Sequence, residues 1–242
     1  MLPLSDMNPT RRVPIFTYTL IIINFLVFFW ELSMPDPVLQ QQFINLSVVP
    51  AKVMAHLFSL ETFLSVVRSM FFHAGWEHIL GNMLYLYLFG DNVEDRLGGV
   101  LYLILYFIGG LIAAFAQVFI DPTSEIPLIG ASGAIAAVLG GYLVLYPGVR
   151  VRGLVFFGAF GSLQDWPAWI VLGLWFVLQL FTSVASLGQA GQSAGGGVAV
   201  FAHVGGFIFG AILTFIVMQF VPQPPVEERH QVLYDRANGR RF

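Results

Sequence analysis

The chain has 242 residues, 57% of them hydrophobic and 15% aromatic, and its mean hydropathy is +0.78. Only 10% are charged, against roughly 25% in a soluble domain, so the composition is that of an integral membrane protein. A net charge of -3, thinly spread, gives nucleic acid nothing to bind, and the lack of cysteine excludes disulfides and thiolate metal sites.

A hydrocarbon core about 30 Å thick needs about 20 apolar residues per helix. The first segment to qualify, residues 17–32, follows Arg11 and Arg12. No small-residue cleavage site follows "NFLVFFWELSMP", so it is expected to be a retained anchor rather than a signal peptide. Residues 33–75 then form an unusually long connection, whose apolar stretches "VVPAKVMAHLF" and "FLSVVRSMFF" predict short helices lying at the membrane surface. The second membrane segment, 76 to about 90, is short and runs into "DNVEDRLGG", so its last turn is expected at the interface. Four more follow at 100–120, 127–146, 166–187 and 198–221. Between the last two, "GQAGQSAGGGVAV" is uncharged and rich in glycine, as a mobile lid would be, and the outer end of the fifth helix, 176–183, is expected to move with it. Residues 222–242 read as a polar tail.

The reading is therefore one domain, 1–242: an all-α bundle of six transmembrane helices over 17–221, a long outer loop at 33–75 and a cytoplasmic tail. Basic residues set its orientation. Placing the N-terminus inside puts Arg11, Arg12, Arg96, Arg150, Arg152, Arg229, Arg236, Arg240 and Arg241 on the inner side and only Lys52 and Arg68 outside. That bias predicts two cytoplasmic termini.

Three helices then carry polar groups to one level below the outer face. The second has His78 and Asn82, an i,i+4 pair on one side. The fourth has Ser132 about five residues into its apolar run, roughly 8 Å deep. The sixth has His203 at a similar depth. Each has a plainer reading, as packing serine, interhelical glue or a histidine in interfacial water. Their coincidence at one depth favours a functional site, since polar groups in a membrane are costly.

The chemistry on offer is nucleophilic. A serine hydroxyl needs a base within hydrogen-bond reach, and neutral imidazole serves best near pH 7. The oxyanion formed on attack at an amide needs fixed donors; the Asn82 amide, the His78 ring and backbone N–H groups where the fourth helix begins are the candidates. Gly130 and Gly133 are expected to leave room for a substrate backbone. Gly206 and Gly210, at GxxxG spacing, should let the sixth helix approach Gly133, Ala136, Ala137, Gly140 and Gly141 of the fourth.

"GASG" with Ser132, "AHVGGFIFG" with His203 and "HAGWEHILGNMLYLYLFGDNVEDRLG" with His73, His78, Asn82 and Glu94 resemble, in order, the hallmark regions of the rhomboid intramembrane serine proteases. The resemblance spans five of the six helices. It implies a rhomboid-like six-helix fold that cleaves transmembrane segments of other proteins, with Ser132 as nucleophile, His203 as general base, and Asn82 and His78 with Ser132 itself in the oxyanion hole. It also implies structural roles for Glu94 and Gly98, no cofactor or metal, and a multi-pass place in a bacterial cell membrane. Two features depart from the family pattern. Ala136 stands where an aromatic residue often supports the histidine, which leaves the orientation of His203 open, and the first loop lacks an adjacent Trp-Arg pair, leaving Arg68 alone. His73 is assigned a structural role, while His56 and His230 are expected to be solvated. Asp121 and Glu125 are the only carboxylates near enough to suggest a triad, and a dyad is the simpler reading.

Rival intramembrane proteases lack support, because there is no HExxH and no aspartate pair in the membrane segments. The alternatives are a silent rhomboid-like escort of membrane proteins, against which the intact dyad argues, and a small transporter, against which the lack of internal repeats argues.

Overall fold

The computed structural model describes residues 2–157, 160–187 and 199–221. In chain order it runs through β1 (Leu2–Asp6), α1 (Ile15–Leu32), α2 (Asp36–Leu46), α3 (Pro50–Ala55), α4 (Leu60–Ser69), α5 (Trp76–Leu97), α6 (Gly99–Ile120), α7 (Ser132–Leu145), β2 (Arg150–Phe157), β3 (Phe160–Pro167), α8 (Ala168–Leu187) and α9 (Val200–Val217). The six long helices form a membrane bundle. Of these, α1, α6 and α9 are long and apolar enough to cross a hydrocarbon core outright, while α7 and α8 offer shorter apolar stretches.

At the centre stands α7, whose residues from Ala134 to Tyr142 are all buried. A helix with no polar stripe has no face to show water and is enclosed on all sides. Its neighbours α5, α6 and α9 close in because small residues line the contacts. A Cβ at Gly206 would strike the Gly133 carbonyl, and one at Gly140 the Phe207 carbonyl. The expected close approach of the fourth and sixth helices is thus the tightest packing in the bundle.

Helix boundaries differ from expectation at two informative places. The fourth helix begins at Ser132, not near 127: Pro127 lacks an N–H, and Gly130 takes the left-handed φ of +118°, so residues 127–131 enter as irregular chain. The second helix continues to Leu97, because Asn92, Glu94 and Arg96 are buried against protein. Glu94 accepts hydrogen bonds from the N–H groups of Phe16 (3.0 Å) and Thr17 (2.7 Å) and from Thr17 Oγ1 (2.8 Å), serving the open donors at the start of α1. The long loop does hold three short helices, α2 to α4, and Arg68 of α4 ties that helix to α2 by donating to the Leu46 carbonyl (2.9 Å) while pairing with Glu61 of its own helix.

Beyond the all-helical expectation lies an antiparallel sheet, ordered β1-β2-β3, at the bundle end away from Ser132. In β2, Val151, Gly153 and Val155 are buried and Arg152 is exposed, the alternation of a half-buried strand. Arg152 meets Asp165 of β3 through two bonds of 2.7 and 2.9 Å. The sheet docks on the bundle through Asp6, whose Oδ2 accepts from Tyr142 Oη and Asn92 Nδ2, both at 2.8 Å.

Candidate active site

Ser132 is positioned by a segment fastened on the way in. The Leu128 N–H donates to the Val48 carbonyl (2.7 Å), the Gly130 N–H to the Ser69 carbonyl (2.8 Å), and the Val48 N–H to Ser69 Oγ (2.8 Å). The long loop is thus the scaffold on which residues 127–131 hang. Helix α7 then starts at Ser132 itself, and its first intrahelical bond, from the Ile135 N–H to the Ala131 carbonyl (2.9 Å), leaves the N–H groups before it without an intrahelical acceptor. The serine is therefore at the helix terminus rather than five residues inside it, so its hydroxyl and the local backbone donors face the same space.

His203 stands on the first turn of α9, where Gln117 of α6 accepts from the Phe201 N–H (3.1 Å) and steadies the helix start. The residue is 8% exposed, and its Nε2 lies 2.7 Å from Ser132 Oγ. The other ring nitrogen, Nδ1, lies 2.8 Å from Gln179 Oε1 on α8. That nitrogen therefore meets a neutral amide where Asp121 or Glu125 had been considered. Trp175, one turn before Gln179, packs a tilted ring 6.0 Å from the imidazole, and Phe207 lies 5.8 Å from Trp175 in turn. The aromatic support missing at Ala136 comes from a different helix.

Two donors converge opposite. His78 Nδ1 accepts from the Ala74 N–H (3.3 Å), which leaves the proton on Nε2. That Nε2 is directed at Gly130, since a Cβ there would sit 2.5 Å from it and 3.7 Å from Asn82 Nδ2. Asn82 is 8% exposed and its Nδ2 has no hydrogen-bond partner. A buried orphan donor is costly, and such groups need a reason. Ser132, His203, His78, Asn82, Trp175 and Gln179 all line one cavity of about 930 Å³. A hydroxyl beside an imidazole, facing N–H donors in a shielded cavity, is equipped for acyl transfer through serine.

All four sequence-derived candidates thus meet in one place. Neither expected glycine lines the cavity: Gly130 lies against the His78 ring, and a Cβ on Gly133 would lie 2.6 Å from the Ala113 Cβ of α6, so that glycine serves helix packing. His73 is 1% exposed and flanks the site, its N–H donating to Glu31 Oε1 (3.1 Å) and its ring 4.9 Å from that of His78. Burial, with His78 adding to it, holds the pKa of His73 down to about 3. His56 is exposed. All but the last two residues of the expected lid loop at 188–200, together with His230 and the tail, lie outside the described residues. Gln179 and Trp175 were not anticipated; their one local sign was i,i+4 spacing of a tryptophan and an amide on a mostly apolar helix.

The family model of the rhomboid domain matches residues 60–220. Over 78 residues the chain is 36% identical to rhomboid-related protein 2 of Mus musculus, covering 32% of this chain and 25% of that protein. It is 26% identical over 162 residues to the chloroplastic rhomboid-like protein 11 of Arabidopsis thaliana, covering 64% and 52% respectively. It is 25% identical over 162 residues to the mitochondrial rhomboid protein 1 of Saccharomyces cerevisiae, covering 65% and 43%. The chain spans a quarter to about half the length of these relatives.

Proposed function

The chain belongs to the rhomboid family, and on that premise we propose that it is an intramembrane serine endopeptidase that cuts transmembrane segments of other proteins. One observation carries the reading: Ser132 Oγ and His203 Nε2, 71 residues apart in sequence, lie 2.7 Å from each other in a cavity that also holds the unpaired Asn82 Nδ2.

In this reading Ser132 Oγ attacks the scissile carbonyl carbon as its proton passes to His203 Nε2. The oxyanion is held by His78 Nε2–H, the Asn82 amide and the Ser132 backbone N–H, with the positive end of α7 behind them. Collapse of the intermediate breaks the C–N bond, and His203 returns the proton to the leaving amine. Water then repeats the cycle on the acyl-serine, with the proton again passing through Nε2. No step requires a cofactor.

The excess of arginine at the far end from Ser132 among the described residues, Arg11, Arg12, Arg96, Arg150 and Arg152, supports cytoplasmic termini and a cut near the outer face of a cell membrane. Substrate enters sideways from lipid, by displacement of α8 around 176–183. Purified wild-type, Ser132→Ala and His203→Ala proteins, given a single-span substrate in liposomes, test the assignment. Cleavage by the wild type alone supports it. No cleavage by the wild type overturns it and favours the silent escort protein, and equal cleavage by all three overturns the roles given to Ser132 and His203.

A further inference from the structure

We infer that Gln179 is a positioning residue: by accepting the His203 Nδ1 proton at its Oε1 atom, it fixes the tautomer in which Nε2 is free to take the Ser132 proton. The inference rests on the protease reading for its consequence, but its geometry is independent of it.

A neutral imidazole carries one proton and can place it on either nitrogen. With the proton on Nε2, His203 would donate to Ser132 Oγ and could not act as base. With the proton on Nδ1, Nε2 presents a lone pair to the hydroxyl 2.7 Å away. Ser132 can adapt to either state, because a hydroxyl both donates and accepts. The choice therefore falls to what faces Nδ1, and that is Gln179 Oε1 at 2.8 Å. An acceptor there selects Nδ1–H.

The surroundings fix the ring as well as its proton. Trp175, on the same face of α8, lies tilted against the imidazole at 6.0 Å, so one helix supplies both the acceptor and the aromatic wall. An amide also differs from a carboxylate in what it adds. It selects the tautomer without burying a negative charge beside the dyad, which a low-dielectric cavity would penalise.

The test reads the tautomer directly. ¹⁵N NMR of selectively histidine-labelled protein in nanodiscs distinguishes Nδ1–H from Nε2–H without substrate, and steady-state cleavage separates kcat from KM. Wild type is expected to show His203 as a single Nδ1–H tautomer. Q179L is expected to shift His203 mostly to Nε2–H, with kcat lower by about 10-fold and KM within about threefold, the pattern of a weakened general base rather than lost binding. Q179E, which restores an acceptor, is expected to return the Nδ1–H tautomer and most of kcat. Should Q179L unfold, Q179M keeps the length without the acceptor and is read in the same way. An unchanged tautomer or unchanged kcat in a folded Q179L or Q179M protein overturns the inference. Absence of cleavage by wild type, with the Nδ1–H tautomer present and lost in Q179L, would sink the protease reading and leave the positioning role standing.

Discussion

Gly210 on α9 lies so near Ala137 on α7 that a Cβ added to it would land on the Ala137 carbonyl oxygen. Backbone therefore meets backbone in the contact that brings the two halves of the dyad together. Gly210→Val must push the helices apart, and we expect it to cost about 2–3 kcal/mol of stability, as overpacking does, together with nearly all cleavage. Gly173→Ala, with nothing within 4 Å of the added Cβ, is the control and is expected to be neutral or stabilising by about 0.5–1 kcal/mol. Thermal unfolding in detergent and substrate cleavage read both.

Gly130→Ala meets two obstacles at once. The left-handed φ of +118° strains any Cβ, and that Cβ would sit 2.5 Å from His78 Nε2. Strain of about 1–3 kcal/mol and a displaced donor should lower kcat by about 100-fold or more. Near-normal kcat in this variant would show that His78 does not act from its observed place.

Asn82→Ala separates glue from catalysis. An amide that held helices together would lose stability on removal. The Asn82 Nδ2 has no partner, so its loss should leave stability little changed while kcat falls by about 10²–10³-fold, the effect of deleting one oxyanion donor. Parallel melting curves and cleavage rates decide between the two.

Glu94→Ala removes the acceptor for three donors at the start of α1. Buried hydrogen bonds to a charged group contribute about 1.5–3 kcal/mol each, so several kcal/mol of stability should go. Glu94→Gln, which keeps one carbonyl oxygen, should lose less. Catalytic rate per folded molecule is expected to hold, because Glu94 lies at the opposite end of α5 from His78 and Asn82.

Docking of β1 should depend on pH. Burial pushes the Asp6 carboxyl up from 3.8 to about 6, with the bond from Tyr142 opposing part of that rise. The folded form therefore binds a proton more tightly than the free strand. This contribution to docking is full below about pH 4 and is lost as pH rises through about 6. Protection of the β1 amides from hydrogen exchange, corrected for the intrinsic base-catalysed rate, should be greater at pH 5 than at pH 7.5, and Asp6→Asn should flatten the difference.

Much of the bundle was legible, because α1, α6 and α9 are apolar runs of spanning length and the GxxxG stripe announced which helices touch. The meeting of Ser132 and His203 was legible in their similar depth, in the GxxxG approach of their helices and in the resemblance of the motifs around them. What escaped depends on contacts distant in sequence. The helix start at Ser132 is set jointly by Pro127, Gly130 and the anchors Val48 and Ser69, and an apolar run cannot show where hydrogen bonding begins. The sheet escaped because β1 is only five residues, includes a proline and pairs with β2 nearly 150 residues later; the Val151, Gly153, Val155 alternation was its one visible sign. The gap left by Ala136 was visible, but no local pattern points from Ala136 to Trp175 on α8.

Helix α8 is at once a wall of the cavity and the brace of the imidazole. If a guest peptide slips in by swinging that wall outward, the swing withdraws Trp175 and Gln179 from His203 and unsettles the base. Chemistry then waits until the wall has closed behind the guest. On the proposed reading, an apparatus joined in this way would guard against idle hydrolysis and ill-timed cuts by a mechanical interlock.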